Sequence, residues 1–275
     1  MVEWSIKWYH ISVARKWTVE EEQRKKKELI QLYVRENRPI GEIGRILNLA
    51  ETSVYDRLVR LNIKSLRSLK PNYNNQRNDI VIPQKYSIEL AEFIGLMLGD
   101  GNLTPTQVTV TLGKKDKYAK HVAELICRLF GPKPKTIFSK HGDCIVYLGS
   151  TKIVRWLIKM GLAFNKVENQ VDIPKWIFLK KNFMRASLRG LFDTDGSVYK
   201  LRWGMQISFC NRSRPLSKSV RSMLSKLGFH PSRISGYNLY LTRKDDIVKF
   251  LKEIGFKNRK HTERIVKFRS SGCVA

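Results

Sequence analysis

The sequence predicts an α+β fold in which two copies of one α/β unit, each with an antiparallel sheet, follow a small all-α domain. A nine-residue segment with an internal Gly and a terminal Asp-Gly occurs twice, 95 positions apart, and strand-like alternation follows each copy. Three short amphipathic segments upstream predict the all-α domain. We expect a helical domain over 1–70, a linker over 71–85, a first unit over 86–172 and a second unit over 173–275.

The N-terminal domain is predicted to contain three helices with a tight middle turn. Hydrophobic spacing places them over 28–36, 40–47 and 52–61. Asn48 suits a turn position with positive φ. The pattern is typical of a helix-turn-helix, whose third helix enters the major groove of DNA; the alternative is a helical bundle without DNA contact. The outward side chains expected to read bases are Thr52, Ser53, Tyr55 and Arg60.

A polar, Asn-rich segment over 70–78 lacks hydrophobic periodicity, which predicts a linker. A tether of this kind raises the local concentration of one module on DNA once the other module is bound. We therefore expect the N-terminal domain to extend the recognised site.

Each α/β unit is predicted to begin with a helix that ends in the repeated segment, over 88–99 and 183–194. A Gly inside a helix costs ~1 kcal/mol relative to Ala, so the internal glycines predict close approach of two helix backbones. After each Asp-Gly, apolar and polar residues alternate, which predicts strands with one polar face. The polar residues expected to contact DNA are Gln107, Thr109 and Thr111 in the first unit and Arg202, Gln206 and Ser208 in the second.

Asp100 and Asp195 would both lie at helix C-termini. A helix end carries about half a negative charge, so two such ends with two aspartates repel each other unless a cation binds between them. Because the available ligands are oxygens, we expect Mg²⁺, for which Mn²⁺ or Ca²⁺ can substitute in binding. Carboxylates that share divalent metals can support phosphodiester hydrolysis. The alternative is that the two aspartates only cap turns.

Basic residues recur at matching places in the two units. Lys166 lies 66 residues after Asp100, and Lys260 lies 65 residues after Asp195. Either lysine could instead be a solvated residue on a basic surface. Further basic residues are expected to border the pocket or to reach DNA phosphates: Lys115, Lys133, Lys135, Arg212, Arg233 and Arg243.

The two nonapeptides resemble the paired motifs of LAGLIDADG homing endonucleases, and the resemblance covers about residues 86–267. Residues 188–196 match closely, whereas the first copy has Leu98 where the family often has an acidic residue. The resemblance implies a single-chain, pseudo-twofold endonuclease with saddle-shaped sheets. Such an enzyme cuts both strands of a long, largely asymmetric DNA site across the minor groove and leaves short 3′ overhangs.

The resemblance also assigns residues to roles. The acid before the final Gly of each motif would bind metal, and the backbone carbonyls of Gly99 and Thr194 would each add one oxygen. Lys166 and Lys260 would border the active site, where we assign them to transition-state stabilisation or water orientation. Asp193 is expected to support the end of its helix or to hydrogen-bond the neighbouring helix rather than to bind metal, because its counterpart in the first motif is Leu98.

The charge distribution favours a polyanionic partner. The formal net charge is +28; residues 1–85 hold 17 basic against 10 acidic residues, and residues 86–275 hold 35 against 14. An excess of this size predicts binding to double-stranded DNA, with intron RNA as a further partner to consider. The alternative is a basic protein whose charge only maintains solubility.

Composition also limits the protein class. Apolar runs do not approach the length of a membrane span, and the N-terminus does not resemble a signal peptide. We expect a cytoplasmic monomer without membrane contact, which associates with the nucleoid when bound to DNA. The ending lacks the His-Asn pair of protein splicing, which favours a free-standing protein over an intein. The cysteines are too widely spaced to predict a zinc site or a disulfide framework: Cys127, Cys144, Cys210 and Cys273.

Three functions follow from these patterns. The first is a metal-dependent DNA endonuclease, which the presence of both Asp100 and Asp195 favours. The second is a non-catalytic transcription regulator that uses the same scaffold with a helix-turn-helix. The third is an intron RNA maturase. Metal-dependent DNA cleavage distinguishes the first from the other two.

Overall fold

The computed structural model describes the following residues: 17–36, 38–63, 77–114, 117–202 and 204–270. Backbone contacts divide the chain into two compact units, Met1–Tyr73 and Asn74–Ala275. The predicted α+β class with antiparallel sheets is confirmed. Within the described ranges, no helix combines the length and apolarity that crossing a membrane requires. Lys115 and Cys273 lie outside the described residues.

The first unit contains three helical segments. The first begins as α1 at Val19–Leu29 and continues as a π-helix over Ile30–Arg35; α2 is Ile40–Leu47 and α3 is Glu51–Arg60. The predicted start at residue 28 is wrong, because a capping box nucleates the helix earlier. The Glu21 backbone N–H donates to Thr18 Oγ1 at 3.2 Å, and the Thr18 backbone N–H donates to Glu21 Oε2 at 2.9 Å.

The turn between α2 and α3 follows the prediction. Asn48 has φ of 51°, in the left-handed region that its short side chain tolerates. Leu29, Ile43, Val54 and Leu58 form the centre of this small core. Because Val54 and Leu58 of α3 face this core, the opposite side of α3 faces solvent.

The second unit begins with a half that contains a four-stranded antiparallel sheet in the order β1-β2-β4-β3. Three helices cover one face of this sheet. The elements in chain order are α4 (Ile88–Leu98), β1 (Gly101–Thr104), β2 (Gln107–Lys114), α5 (Tyr118–Phe130), β3 (Lys135–Phe138), β4 (Asp143–Gly149) and α6 (Thr151–Lys159).

The second half repeats the helix-strand-strand-helix order around a sheet with the order β5-β6-β7. A 3₁₀-helix over Lys175–Leu179 leads into it. The further elements are α7 (Lys181–Thr194), β5 (Gly196–Leu201), β6 (Gly204–Cys210), α8 (Arg214–Lys226), β7 (Asn238–Leu241), α9 (Lys244–Glu253) and α10 (Arg259–Ser270). The sequence repeat is thus a structural repeat.

Helices α4 and α7 pack along each other at the predicted glycines. A Cβ on Gly95 would clash with the backbone carbonyl of Ser187. A Cβ on Gly190 would clash with the carbonyl of Glu92 and lie 2.7 Å from the Leu96 nitrogen. Because the obstacles are backbone atoms, only Gly permits this approach.

A buried ionic network joins the two halves beside this contact. Glu92 of α4 accepts hydrogen bonds from Arg189 Nη1 of α7 at 3.1 Å and pairs with His121 Nε2 of α5 at 2.6 Å. Arg189 Nε also donates to the Ile254 carbonyl at 2.8 Å. Burial alone would raise the pKa of Glu92, but its bonds to His121 and Arg189 outweigh burial and lower that pKa. The network therefore keeps Glu92 ionised.

Candidate metal and nucleic-acid site

The repeated Asp-Gly segments meet where α4 and α7 end. Helix α4 ends at Leu98 with Gly99 as its cap, so Asp100 follows directly, and Asp195 is itself the C-cap of α7. A Cβ on Gly99 would clash with Thr194 Oγ1 and lie 3.5 Å from the Asp195 carboxyl carbon. The two helix ends therefore adjoin, and each brings one carboxylate to the junction.

The surroundings of the Asp195 carboxylate oppose its ionisation. Burial raises its pKa to about 7; a hydrogen bond from Asn211 opposes that rise, the charge of Asp100 adds to it, and the charge of Lys166 opposes it. Asn211 Nδ2 donates to Asp195 Oδ2 at 2.6 Å. A further cation at this carboxylate would lower its pKa again and stabilise the ionised form.

Lys166 supplies one positive charge at the same junction. Its ammonium group donates to the Met97 carbonyl at 3.1 Å, to the Leu98 carbonyl at 3.3 Å and to the Gly99 carbonyl. Burial lowers the pKa of Lys166, while the charges of Asp195 and Asp100 act to raise it. The side chain neutralises the C-terminus of α4, as expected for a cation at that end of a helix.

Asp193 supports the helix end, in agreement with the role expected for it. Its Oδ1 accepts from the backbone N–H groups of Lys257 and Asn258, both at 3.0 Å, and its Oδ2 accepts from the Tyr118 hydroxyl at 3.1 Å. Burial raises the pKa of Asp193 to about 6, although these hydrogen bonds lower it. Asp193 thereby holds the turn that precedes α10 against the end of α7.

Lys260 differs from its repeat partner Lys166. It lies exposed in the first turn of α10, and in the described part of the chain no ion pair joins it to Asp100 or Asp195. The sequence placed these two lysines equivalently, whereas the structure brings only Lys166 to the carboxylates. The twofold repeat is therefore broken at the site.

The residues at the junction fit a hard cation. Asp100 and Asp195 offer two carboxylates, and backbone carbonyls at the helix ends add oxygen atoms, the donors that Mg²⁺ prefers. Among the described residues, three or more His, Cys, Asp or Glu side chains nowhere gather to form a metal site, so water or a phosphate would complete the coordination. The Gly99 carbonyl already accepts a hydrogen bond from Lys166, so a metal would have to share this oxygen with the ammonium group.

The polar sheet faces are present as predicted, with one change. Gln107 and Thr109 are half-buried and Thr111 is exposed, opposite the buried core face of β2. In the second half Gln206 is half-buried, but Ser208 is only 4% exposed, so a base could reach it only after its neighbours move. The prediction that Arg202 alternates with apolar residues in a strand is wrong, because Arg202 lies in the turn after β5.

Three tyrosines on these faces were missed by the sequence analysis. Tyr147 pairs with Thr109, Tyr199 pairs with Gln206 and Tyr240 pairs with Ser208 across neighbouring strands. Cross-strand partners share a face, so the tyrosines flank the predicted polar residues. The sequence contains part of the signal, because Tyr147 and Tyr240 each lie between two buried apolar residues, whereas Tyr199 follows buried Val198 and precedes exposed Lys200.

The remaining basic residues lie at the surface. Among the predicted phosphate contacts, the exposed ones are Lys133, Lys135, Arg212, Arg233 and Arg243. In the N-terminal unit Thr52, Tyr55 and Arg60 are exposed and Ser53 is half-buried. Arg60 forms an ion pair with Glu22 at 2.6 Å. The pair uses one guanidinium nitrogen of a side chain that is 58% exposed, so its other N–H groups remain open to a base or phosphate.

Comparison with known proteins agrees with this architecture. Residues 182–255 match the family profile of a LAGLIDADG-like domain, so the chain contains such a domain. Curated relatives include the replication factor C small subunits of Methanocaldococcus jannaschii (27% identity, 66% of this chain, 10% of the relative) and Pyrococcus horikoshii (27%, 83% and 28%). A DNA polymerase of a Thermococcus species is 30% identical over 62% of this chain and 10% of its own length. The chain thus spans about a tenth to a quarter of these relatives.

Similar solved structures include the LAGLIDADG domain of WhiA and the homing endonuclease I-DmoI. The WhiA domain is 17% identical, over 63% of this chain and 86% of that chain, with a TM-score of 0.45. I-DmoI is 20% identical, over 61% and 95%, also with a TM-score of 0.45. One I-DmoI variant structure contains its target DNA in the presence of Mg. The LAGLIDADG-like domain is identified by the match of residues 182–255, and the repeat within the chain agrees with it.

Proposed function

We propose that this chain, with its LAGLIDADG-like domain, is a site-specific, divalent-metal-dependent endonuclease that hydrolyses both strands of double-stranded DNA. One observation carries the proposal: Asp100 and Asp195 converge at two adjoining helix ends, where burial and mutual repulsion raise the pKa of Asp195 to about 7. Repulsion of this kind opposes folding and calls for a cation. The excess of basic residues supports DNA as the substrate.

The roles of the residues follow from their positions. Asp100 and Asp195 would hold the metal, with the Gly99 and Thr194 carbonyls as further oxygen donors. When bound, Mg²⁺ would supply charge neutralisation at the cleaved phosphate and an activated water. Lys166, whose charge acts on both carboxylates, would stabilise charge on the phosphate or orient the attacking water. The polar faces of the two sheets bind the duplex.

A cleavage assay tests the proposal. The full chain is incubated with a randomised duplex library in Mg²⁺ or Mn²⁺, and the ends of the products are sequenced. The expected result is a shared sequence at the ends with cuts on both strands. The matched controls are Asp100→Asn and Asp195→Asn, which keep the side-chain shape but remove the charge that binds the metal. We expect cleavage to fall by orders of magnitude on at least one strand, with binding in a gel shift retained.

The second candidate is a non-catalytic DNA-binding regulator, and Lys166 is the observation that favours it. The chain already places an ammonium group on the Gly99 carbonyl, which can serve in place of a metal at that helix end. Wild-type protein that binds a defined duplex but leaves it intact in Mg²⁺ and Mn²⁺ would support the regulator and refute the nuclease.

A further inference from the structure

Two adjoining cavities lie between the segment 77–86 and helix α6. The first has a volume of about 610 Å³, and the second has a volume of about 860 Å³. Ile82 and Trp156 line both, so the cavities adjoin, and we call the two together the α6 groove. The groove lies wholly within the second unit of the chain.

The first part of the α6 groove is cationic. Lys152, Arg155 and Lys159 project from successive turns of α6, and Arg77 faces them from the preceding segment. Arg77 forms an ion pair with Asp79 at 2.7 Å, which offsets its charge. The Lys152 ammonium group donates to the Ile80 carbonyl at 3.0 Å, a neutral partner that leaves the positive charge in place. Lys152, Arg155 and Lys159 are all exposed. Neither cavity includes an Asp or Glu among its described lining residues. This part of the groove therefore favours an anion.

The other part is aromatic and apolar. Trp156 packs edge-on against Phe130 with ring centroids 6.0 Å apart, which holds its ring in place. In the second cavity Tyr86 stacks on Trp176 at 4.3 Å yet is 54% exposed. Phe183 also lines this cavity, and Lys180 lies over its ring at 5.5 Å. Phe183 is itself buried, but the exposed parts of the Tyr86 and Trp156 rings offer flat surfaces on which bases can stack.

The α6 groove lies on a different side from the polar sheet faces. The buried residues of α6, including Ile153 and Leu157, belong to the core that also contains Val108 and Val110 of β2. The exposed side of α6 therefore points away from the sheet, whereas Gln107 and Thr109 lie on the opposite face of β2. A duplex on the polar sheet face would leave the groove free.

We propose that the α6 groove binds single-stranded nucleic acid, with phosphates at Lys152, Arg155 and Lys159 and unstacked bases against Trp156 and Tyr86. A duplex does not suit the groove, because its bases are already stacked on each other, whereas a single strand can present both phosphates and base faces. This site goes beyond the proposed nuclease and does not depend on it, since the groove contains neither Asp100 nor Asp195.

The test measures the affinity of the full chain for labelled single-stranded RNA and DNA of about 12 nucleotides by fluorescence anisotropy across a salt series. The variant carries Arg155→Glu with Lys159→Glu, and the control carries Lys218→Glu with Lys252→Glu, two exposed lysines of α8 and α9. Both pairs change the net charge equally. A milder variant, Arg155→Gln with Lys159→Gln, serves if the reversed charges impair folding, which circular dichroism detects.

We expect the groove variant to bind a single strand at least ~10-fold more weakly than the control and to show a salt slope smaller by about 1.4, since two phosphate contacts are lost. Unlabelled single strand should displace the probe, and an equal concentration of duplex should not. The measurements with RNA and with DNA show which backbone the groove prefers. Weaker binding of either single strand by the groove variant supports the site. Equal losses in variant and control, or equal displacement by duplex, would overturn it.

Discussion

Among individual residues, Asp195 connects protein stability most directly to pH. Its pKa in the folded protein is about 7, above the ordinary value of 3.8. Ionisation of Asp195 therefore lowers the free energy of unfolding, and the full loss is present above about pH 7. The loss decreases as the pH falls from 7 toward 3.8. We expect Asp195→Asn to be more stable than wild type at about pH 8 without metal, by up to ~4 kcal/mol, and the difference to close near pH 4.

Urea unfolding between about pH 4 and pH 8 in EDTA measures this difference. Asp245→Asn is the control, because Asp245 is exposed in the first turn of α9 and should yield no gain. An Asp195→Asn variant whose stability tracks that of wild type at every pH would rule out the electrostatic penalty.

Lys166 leads to the opposite prediction. Without its ammonium group, the α4 carbonyls lose a donor and the two aspartates lose a cation whose charge acts on both. Lys166→Met should therefore destabilise the metal-free protein by ~2 kcal/mol or more, and added Mg²⁺ should recover part of that loss. Lys260→Met should change stability by less than ~0.5 kcal/mol, because Lys260 is exposed. Thermal melts with EDTA and with Mg²⁺ compare the two variants, and equal shifts would contradict the asymmetry.

The sequence predicted which residues meet at the centre of the candidate site, but only part of their surroundings. Asp100, Asp195 and Lys166 are brought together as their positions in the repeat predicted. Lys260 is not brought to them, because the spacing of residues in a sequence does not indicate which of the two repeats buries its lysine. Asn211, which holds Asp195, was missed because a single Asn after a strand has many other uses.

At the level of elements, the α4–α7 contact depends on two glycines. Gly95→Ala and Gly190→Ala each place a methyl group against a carbonyl of the facing helix, which can be relieved only if the helices separate. We expect each to lower the free energy of unfolding by ~3 kcal/mol or more and to impair cleavage, since Asp100 and Asp195 would move apart. In urea titrations the matched control is Gly113→Ala in β2, where a Cβ meets open space. A loss in the control as large as in the helix variants would argue against this cause.

The elements differ in how readily the sequence predicts them. Helices α4 and α7 were found because a repeated motif and long apolar periodicity agree. The start of α1 was missed, although Thr18 and Glu21 carry a recognisable capping signal, because the segment after them is highly charged and lacks an apolar stripe. Strand β3 has four exposed residues and therefore leaves no burial pattern to detect.

For the whole molecule, the split into two units predicts separable contributions to DNA binding. Removing residues 1–73 should leave the second unit folded and able to cut, because Asp100, Asp195 and Lys166 all lie in it. Affinity and its salt dependence should both decrease, since fewer phosphates are neutralised. Binding isotherms at several salt concentrations, run beside a plasmid cleavage assay, compare the 74–275 fragment with the full chain. A 74–275 fragment that folds but does not cleave DNA would contradict the prediction that the two units contribute separately.

The same repeat predicts stoichiometry. Because both halves of the site belong to one chain, one protein should bind each duplex. Analytical ultracentrifugation of the complex measures the ratio, and an obligate dimer on a single site would refute this arrangement.

The buried ion pair between Glu92 and Arg189 restricts how the two halves can recombine. Each half contributes one charge of this pair, so a chimera that joins one half to a foreign half without the matching charge removes one of the two bonds that keep Glu92 ionised, although His121 remains. Loss of a partner from a buried ion pair lowers stability. Fusions between related halves should therefore be more stable when the acid and the guanidinium are inherited together, and an exchange of halves by design should transfer both residues with the sheets.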